Sequence, residues 1–307
     1  MKKLFKIFFC ICAFALILFT PNVILNGAKN GLLLWFNALI PALLPYMIIS
    51  NAVISSGLST NINFIFYPVT RLLKISPLAS YCILSGIFFG YPSCAINAGS
   101  LVNEKQLDKE TASFCTCAFN NISPGFIMGY LCIGMLDDSS YIPIVMCLFY
   151  ISLLLSTIII RLVLFKQLKY IHTKPDISHT IHKNIIQDSI RRALINISVL
   201  GGYIIIFSIM INYIKMIPLK QITVITPLFE ITSGIANVCD VISDTRLRLL
   251  IIVPMLAFGG ISGIFQTFAV DNYGIIDKKK YIYSKVISCA ICFIITYLTV
   301  YVFEIIS

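Results

Sequence analysis

Two stretches of the chain read almost alike, AFNNISPGF at 118–126 and AFGGISGIF at 257–265, and they lie 139 residues apart. The same offset pairs Ser93 with Thr232 and Ile96 with Ile235, in GYPSCAIN (90–97) and FEITSGIAN (229–237). Each stretch sets small, polar or helix-breaking residues inside an apolar run. In a bilayer such backbone is tolerated only where protein buries it or it lines a cavity. Its occurrence once in each half of a chain is the pattern of an internally repeated transporter with its site at the junction of the halves.

The bilayer follows from composition. Of the 307 residues 58% are hydrophobic and 12% are charged, and the mean hydropathy is +0.92. That is a polytopic membrane protein and not a soluble domain. The net charge of +10 does not point to nucleic acid. Its basic residues sit in short stretches between apolar runs, where membrane topology accounts for them. The 11 cysteines lie mostly inside apolar segments, without a paired C-x-x-C framework and histidine partners, so no metal site is read. Cys289 and Cys292 are spaced i, i+3 on an apolar run and read as packing residues. No Ser-His-Asp or Cys-His set, phosphate loop or H-E-x-x-H is present, so the chain reads as a non-enzyme without a cofactor.

Nine apolar segments can be drawn, at 4–20, 32–56, 77–98, 112–136, 141–165, 193–214, 222–238, 248–270 and 281–305. The first has the basic start and apolar run of a signal peptide but no A-x-A-like cleavage site, and reads as an uncleaved helix. If all nine cross, the 23 Lys and Arg residues divide 11 inside and 12 outside. If 77–98 and 222–238 instead enter and leave on one side, they divide 18 inside and 5 outside, as the positive-inside rule requires. Seven helices then cross and two segments are re-entrant hairpins, with the N-terminus cytoplasmic and the C-terminus outside. Helix 32–56 and its repeat partner 193–214 run in opposite directions, so the halves are inverted repeats.

The expected organisation is one membrane domain. An N-terminal helix occupies 1–30, repeat 1 is 31–140, a connecting helix and basic cytoplasmic loop are 141–190, repeat 2 is 191–275 and a C-terminal helix is 276–307. The stretch 99–112 reads as a short surface helix. His172, His179 and His182 fall in the basic loop and read as a solvated connector.

The breaks carry the candidate site. At Gly90, Tyr91, Pro92 and Ser93 a hairpin tip aims backbone N–H groups and a helix N-terminus at the cavity, an arrangement that favours anions. Asn120, Asn121, Ser123 and Pro124 interrupt the next apolar run. Two adjacent amides at this depth either contact a substrate or satisfy the backbone groups that Pro124 frees. The counterpart stretch holds Gly259, Gly260, Ser262 and Gln266, and Ser262 and Gln266 at i, i+4 share a helix face. Thr232, Ser233 and Gly234 form the second tip. Glu230, an acidic residue inside an apolar segment, either binds a coupling cation or proton or caps the half-helix that follows.

At these residues the chain resembles the nucleoside-recognition (Gate) domain membrane proteins, and within them the YlbJ-type sporulation integral membrane proteins. The matching pieces are FNALIPALLPYMIISNAVISSGL (36–58), SGIFFGYPSCA (85–95), NEKQLDKETA (103–112), FNNISPGFIMGYLCIGML (119–136), FEITSG (229–234) and FGGIS (258–262), in family order. The resemblance implies a fold similar to concentrative nucleoside transporters. It also implies transport of dipicolinic acid out of the mother cell across the outer forespore membrane. Cys94 stands where the family usually has a smaller residue, and Ile96 and Asn97 where a basic residue is common. The expected partners are a small organic anion, the lipid bilayer and a coupling cation, with an oligomer open. Two alternatives stand beside this reading, a nucleoside or nucleobase transporter of the same fold and a non-transporting spore-assembly protein.

Overall fold

The computed structural model describes residues 18–55, 58–103, 105, 107–168, 184–217 and 224–302. The described residues form helices and connecting turns, with no strand among them. Residues 1–17, which hold most of the first apolar segment, and the three histidines lie outside the described residues.

Helix α1 (Pro21–Leu34) opens on a proline at its first turn, where no N–H is missed. It continues through a wider, π-helical stretch, Trp35–Leu39, into α2 (Ile40–Ser55). The whole is bent by 56° between Pro21–Leu39 and Leu43–Ile49. Helix formation from Pro21 differs from the expectation, which began the segment at 32. Helix α3 (Leu58–Leu73) was not expected at all, because its polar residues break the apolar run.

Helices α4 (Ala79–Phe89) and α5 (Ser93–Asn103) fold back on each other around Gly90–Pro92. Among its described residues, the stretch 99–112 holds no separate surface helix. Its first part belongs to α5, and its last residues begin α6 (Lys109–Phe119), where Asp108 caps the start by accepting the Thr111 N–H at 2.8 Å. After the non-helical residues Asn120–Ser123 the chain becomes helical again, and α7 (Phe126–Met135) is wound with i→i+5 hydrogen bonds. Helix α8 (Tyr141–Val163) and the long α9 (Ile185–Lys215) follow. The short α10 (Thr226–Phe229) folds back on α11 (Ile231–Val241). The second arm therefore ends at Val241, short of Arg246. Helices α12 (Thr245–Phe258) and α13 (Gly260–Ala269) make one broken span, and α14 (Lys278–Tyr297) closes the fold.

Four helical segments, Tyr141–Val163, Ile185–Lys215, Thr245–Ala269 and Lys278–Tyr301, are long and apolar enough to cross a membrane. The bent α1–α2 pair makes a fifth. The expected count of seven is not reached among the described residues. One expected span falls on residues 1–17, and the expected span 112–136 is divided by its non-helical middle. The protein is an integral, multi-pass membrane protein.

Packing follows membrane logic. Helix α8 buries Ser152, Ser156 and Thr157, while Leu154, Leu155, Ile158 and Leu162 face outward. Small and hydroxylated residues let helices approach, and lipid takes the large apolar ones. Helix α1 packs along α9 through Gly27 and Gly31, one turn apart, where an added Cβ would meet the Cα of Ile209 at 2.7 Å and of Ile205 at 2.9 Å. Polar clamps hold the seam. Asn212 donates to the Val23 carbonyl at 2.7 Å, and the Trp35 indole N–H donates to the Ile197 carbonyl at 2.8 Å. Arg161, counted in the sequence as a loop cation, lies in the last turn of α8 and donates to the carbonyls of Leu73, Phe165 and Leu168.

Candidate functional site: two nested breaks and a buried lysine

In the first half the hairpin tip sits on the break of the next helix. Gly90 has φ 74° and ψ −172°, a conformation that only glycine adopts readily. A Cβ there would lie 2.9 Å from the Ser123 nitrogen and 3.1 Å from the Asn121 oxygen. The Tyr91 N–H donates to the Asn121 carbonyl at 2.8 Å, and the Ser93 N–H to the Gly90 carbonyl at 2.9 Å. Pro124 opens the next helical stretch, and the Phe126 N–H reaches the Ser123 hydroxyl at 3.3 Å. Tip and break are thus one joint.

The second half repeats this relation. Gly259 is left-handed at φ 80° and ends α12; Gly260, at φ 69°, follows it. A Cβ on Gly260 would come within 3.3–3.4 Å of the Pro227 and Phe229 carbonyls and the Ile231 nitrogen, so the glycine break nests on the α10–α11 tip. At that tip Glu230 is the N-cap of α11. One carboxylate oxygen accepts the Thr232 N–H at 2.8 Å and the other the Ser233 N–H at 2.6 Å. The Gly234 N–H goes to the Glu230 carbonyl at 3.0 Å. Thr232, Ser233 and Gly234 therefore hold no free backbone donor for an anion, in contrast to the expectation. Of the two readings of Glu230, the cap is the one this geometry contains.

The halves meet at these joints. The Tyr91 ring lies against Gly259 and Gly263, where a Cβ on Gly263 would touch its Cζ at 3.0 Å. The Tyr130 hydroxyl donates to the Thr232 carbonyl at 2.7 Å; within the second half, the Ser208 and Ser233 hydroxyls are 2.7 Å apart. A cleft of about 40 Å³ opens here, lined by Leu43, Tyr91, Ile122, Ser123, Phe126, Leu200 and Thr232. Of the residues singled out in the sequence, Tyr91, Ser123 and Thr232 line it. Ser262 and Gln266 do share a face, as their spacing requires, with the amide donating to the hydroxyl at 3.2 Å, but they lie outside the cleft lining.

The asparagine pair faces protein. Asn120 and Asn121 are buried. The Asn121 amide donates to the Ala118 carbonyl at 2.8 Å, satisfying an acceptor at the end of α6. The Asn120 amide donates to the Thr267 hydroxyl at 2.9 Å and the Tyr281 hydroxyl at 3.2 Å. The Asn120 carbonyl, whose helical partner Pro124 removes, accepts from the ammonium of Lys285 at 2.6 Å. The same ammonium donates to Asn121 Oδ1 at 2.8 Å.

Lys285 was missed in the sequence, where it counted among the cytoplasmic cations of 278–285. It is 2% exposed and sits a full two turns inside α14. A signal was present: Tyr281, Lys285, Ser288 and Cys292 fall on one helical stripe, and all four are buried. The run of lysines at 278–280 hid it.

No protein-family model matches the chain, and no solved structure matches it. A search of curated proteins finds the sporulation integral membrane protein YlbJ of Bacillus subtilis (strain 168), 21% identical over 281 residues, covering 79% of this chain and 69% of that protein. The ordered motifs and this alignment agree, and the chain is a homologue of a YlbJ-type sporulation integral membrane protein.

Proposed function

We propose that the chain is a membrane transporter of a small organic anion, dipicolinate moving from the mother cell across the outer forespore membrane, built as two inverted repeats with re-entrant hairpins. The observation that carries this reading is the convergence of Tyr91, Ser123 and Thr232 on one cleft. They come from two joints of the same design, one in each half. Irregular backbone from two repeats meeting between apolar helices is the arrangement of a transporter site. The similarity to a sporulation membrane protein gives the cellular setting.

The cleft volume supports a moving site. About 40 Å³ holds a few waters and no aromatic diacid. Cargo therefore enters only when the halves part at Tyr91 and the glycine face of α13, and alternating access is the motion that exposes the site to each side in turn.

The test is uptake of labelled dipicolinate into proteoliposomes. Wild-type protein should accumulate it, and Ser123→Leu, which fills the cleft, should lower the rate at least tenfold at equal protein incorporation. In a deletion strain the acid should be made in the mother cell and be absent from the spore core. Normal core dipicolinate would sink the cargo assignment, and uptake of labelled nucleoside in its place would transfer the cargo to that class. Full uptake by Ser123→Leu would sink the site.

A further inference from the structure

Lys285 presents a buried ammonium among uncharged groups. Its two acceptors, the Asn120 carbonyl and Asn121 Oδ1, lie just past the C-terminal end of α6. That end carries the negative pole of the helix dipole. The face of the Tyr281 ring lies 5.3 Å from the ammonium. The ionisable groups facing it are Cys117 of α6, Cys94 of α5 and Tyr281 of its own helix. The other helices packed on α14 bring no carboxylate, since neither α8 nor α12 contains Asp or Glu. Glu110 of α6 is exposed at the opposite end of that helix, roughly 15 Å away. A carbonyl oxygen, an amide oxygen and a helix C-terminus at an unwound break form the acceptor set with which discontinuous membrane helices hold a coupling cation.

We propose that this is a monovalent-cation site and that the ammonium of Lys285 fills it as a tethered ion. The chain supplies covalently what a bound ion would supply by diffusion. The charge does not stand apart from the cleft, because Asn121 links the two. Its side chain accepts from Lys285 while its carbonyl accepts the N–H of Tyr91, which lines the cleft. Under the proposed transport function, the α6–α7 joint then needs no sodium ion. That consequence rests on the transport reading, whereas the site itself does not.

The experiment reads cation binding without reference to cargo. Thermal unfolding of the purified full chain is followed in sodium and in choline at matched ionic strength. Wild-type Tm is expected to be equal in the two salts. A rise of several degrees in sodium would mean that a separate ion occupies the joint, and would overturn the proposal. Lys285→Ala is expected to lower Tm in choline, and sodium or methylammonium should restore several degrees of the loss. Lys285→Met, which fills the volume without charge, should be lowered and show no restoration. A Lys285→Met protein as stable as wild type, or a Lys285→Ala protein indifferent to small cations, would overturn the proposal. If neither variant can be purified, the wild-type comparison decides.

Discussion

A single carboxylate closes the second tip. Glu230 is 2% exposed and accepts two backbone N–H groups, so its removal orphans both in a buried place. Glu230→Ala should cost about 1–3 kcal/mol, read as a lower Tm in detergent. Glu230→Gln keeps one acceptor oxygen and should lose clearly less. If Glu230→Gln kept full stability but lost transport, the residue would be doing coupling chemistry beyond capping. The depth of Glu230 was legible from its place in an apolar run. The cap on the following half-helix was one of its two readings, and only the folded turn of α11 shows the Thr232 and Ser233 N–H groups meeting it. Lys285 shows the reverse failure. A lysine five residues past a basic run looks like the end of a loop, and only the helix beginning at Lys278 carries it inward.

At the scale of elements, the α1–α9 seam is a close helix contact for which local sequence gives a reason. Gly27 and Gly31 let the backbones come close enough for van der Waals packing, which drives association in lipid. Gly31→Leu should force α1 away from α9 and lower Tm by several degrees. Lys29→Leu, at an exposed position of the same helix, should leave Tm within a degree or so. Equal effects would mean that the seam is not the glycine contact. The sequence reading left residues 21–31 between its first two apolar segments, since Asn22, Asn26, Lys29 and Asn30 dilute the apolar signal. It also passed over α3 for the same reason. By contrast α8 and α12–α13 fall within a few residues of their expected limits, and α14 begins three residues before its own, because an apolar run of spanning length has few other ways to satisfy its backbone.

For the whole molecule, the charge-based orientation has a direct test. The turn after α7 exposes Ser139, and the turn after α8 exposes Lys166. In a cysteine-free background, cysteine at 139 should react with a membrane-impermeant maleimide in intact cells. Cysteine at 166 should react only after permeabilisation. The same labelling for both positions would overturn the charge-based orientation. Removing Lys285 from the cytoplasmic count leaves the bias of 18 to 5 almost intact, so the rule does not hang on that residue.

Sequence alone determined the solvent of this protein and the places where its helices break. Hydropathy decides between water and lipid, and Gly, Pro and paired amides interrupt helices by local sterics and lost hydrogen bonds. It also paired the breaks, since the repeat survives as recognisable residues at one offset. Tertiary structure decided what each break packs against. The nesting of Gly90 on Asn121 and Ser123, of Gly260 on the Glu230 tip, and of Lys285 on the Asn120 carbonyl joins residues up to 165 positions apart. Such contacts depend on how helices pack across the whole bundle, and no local preference of the chain encodes them.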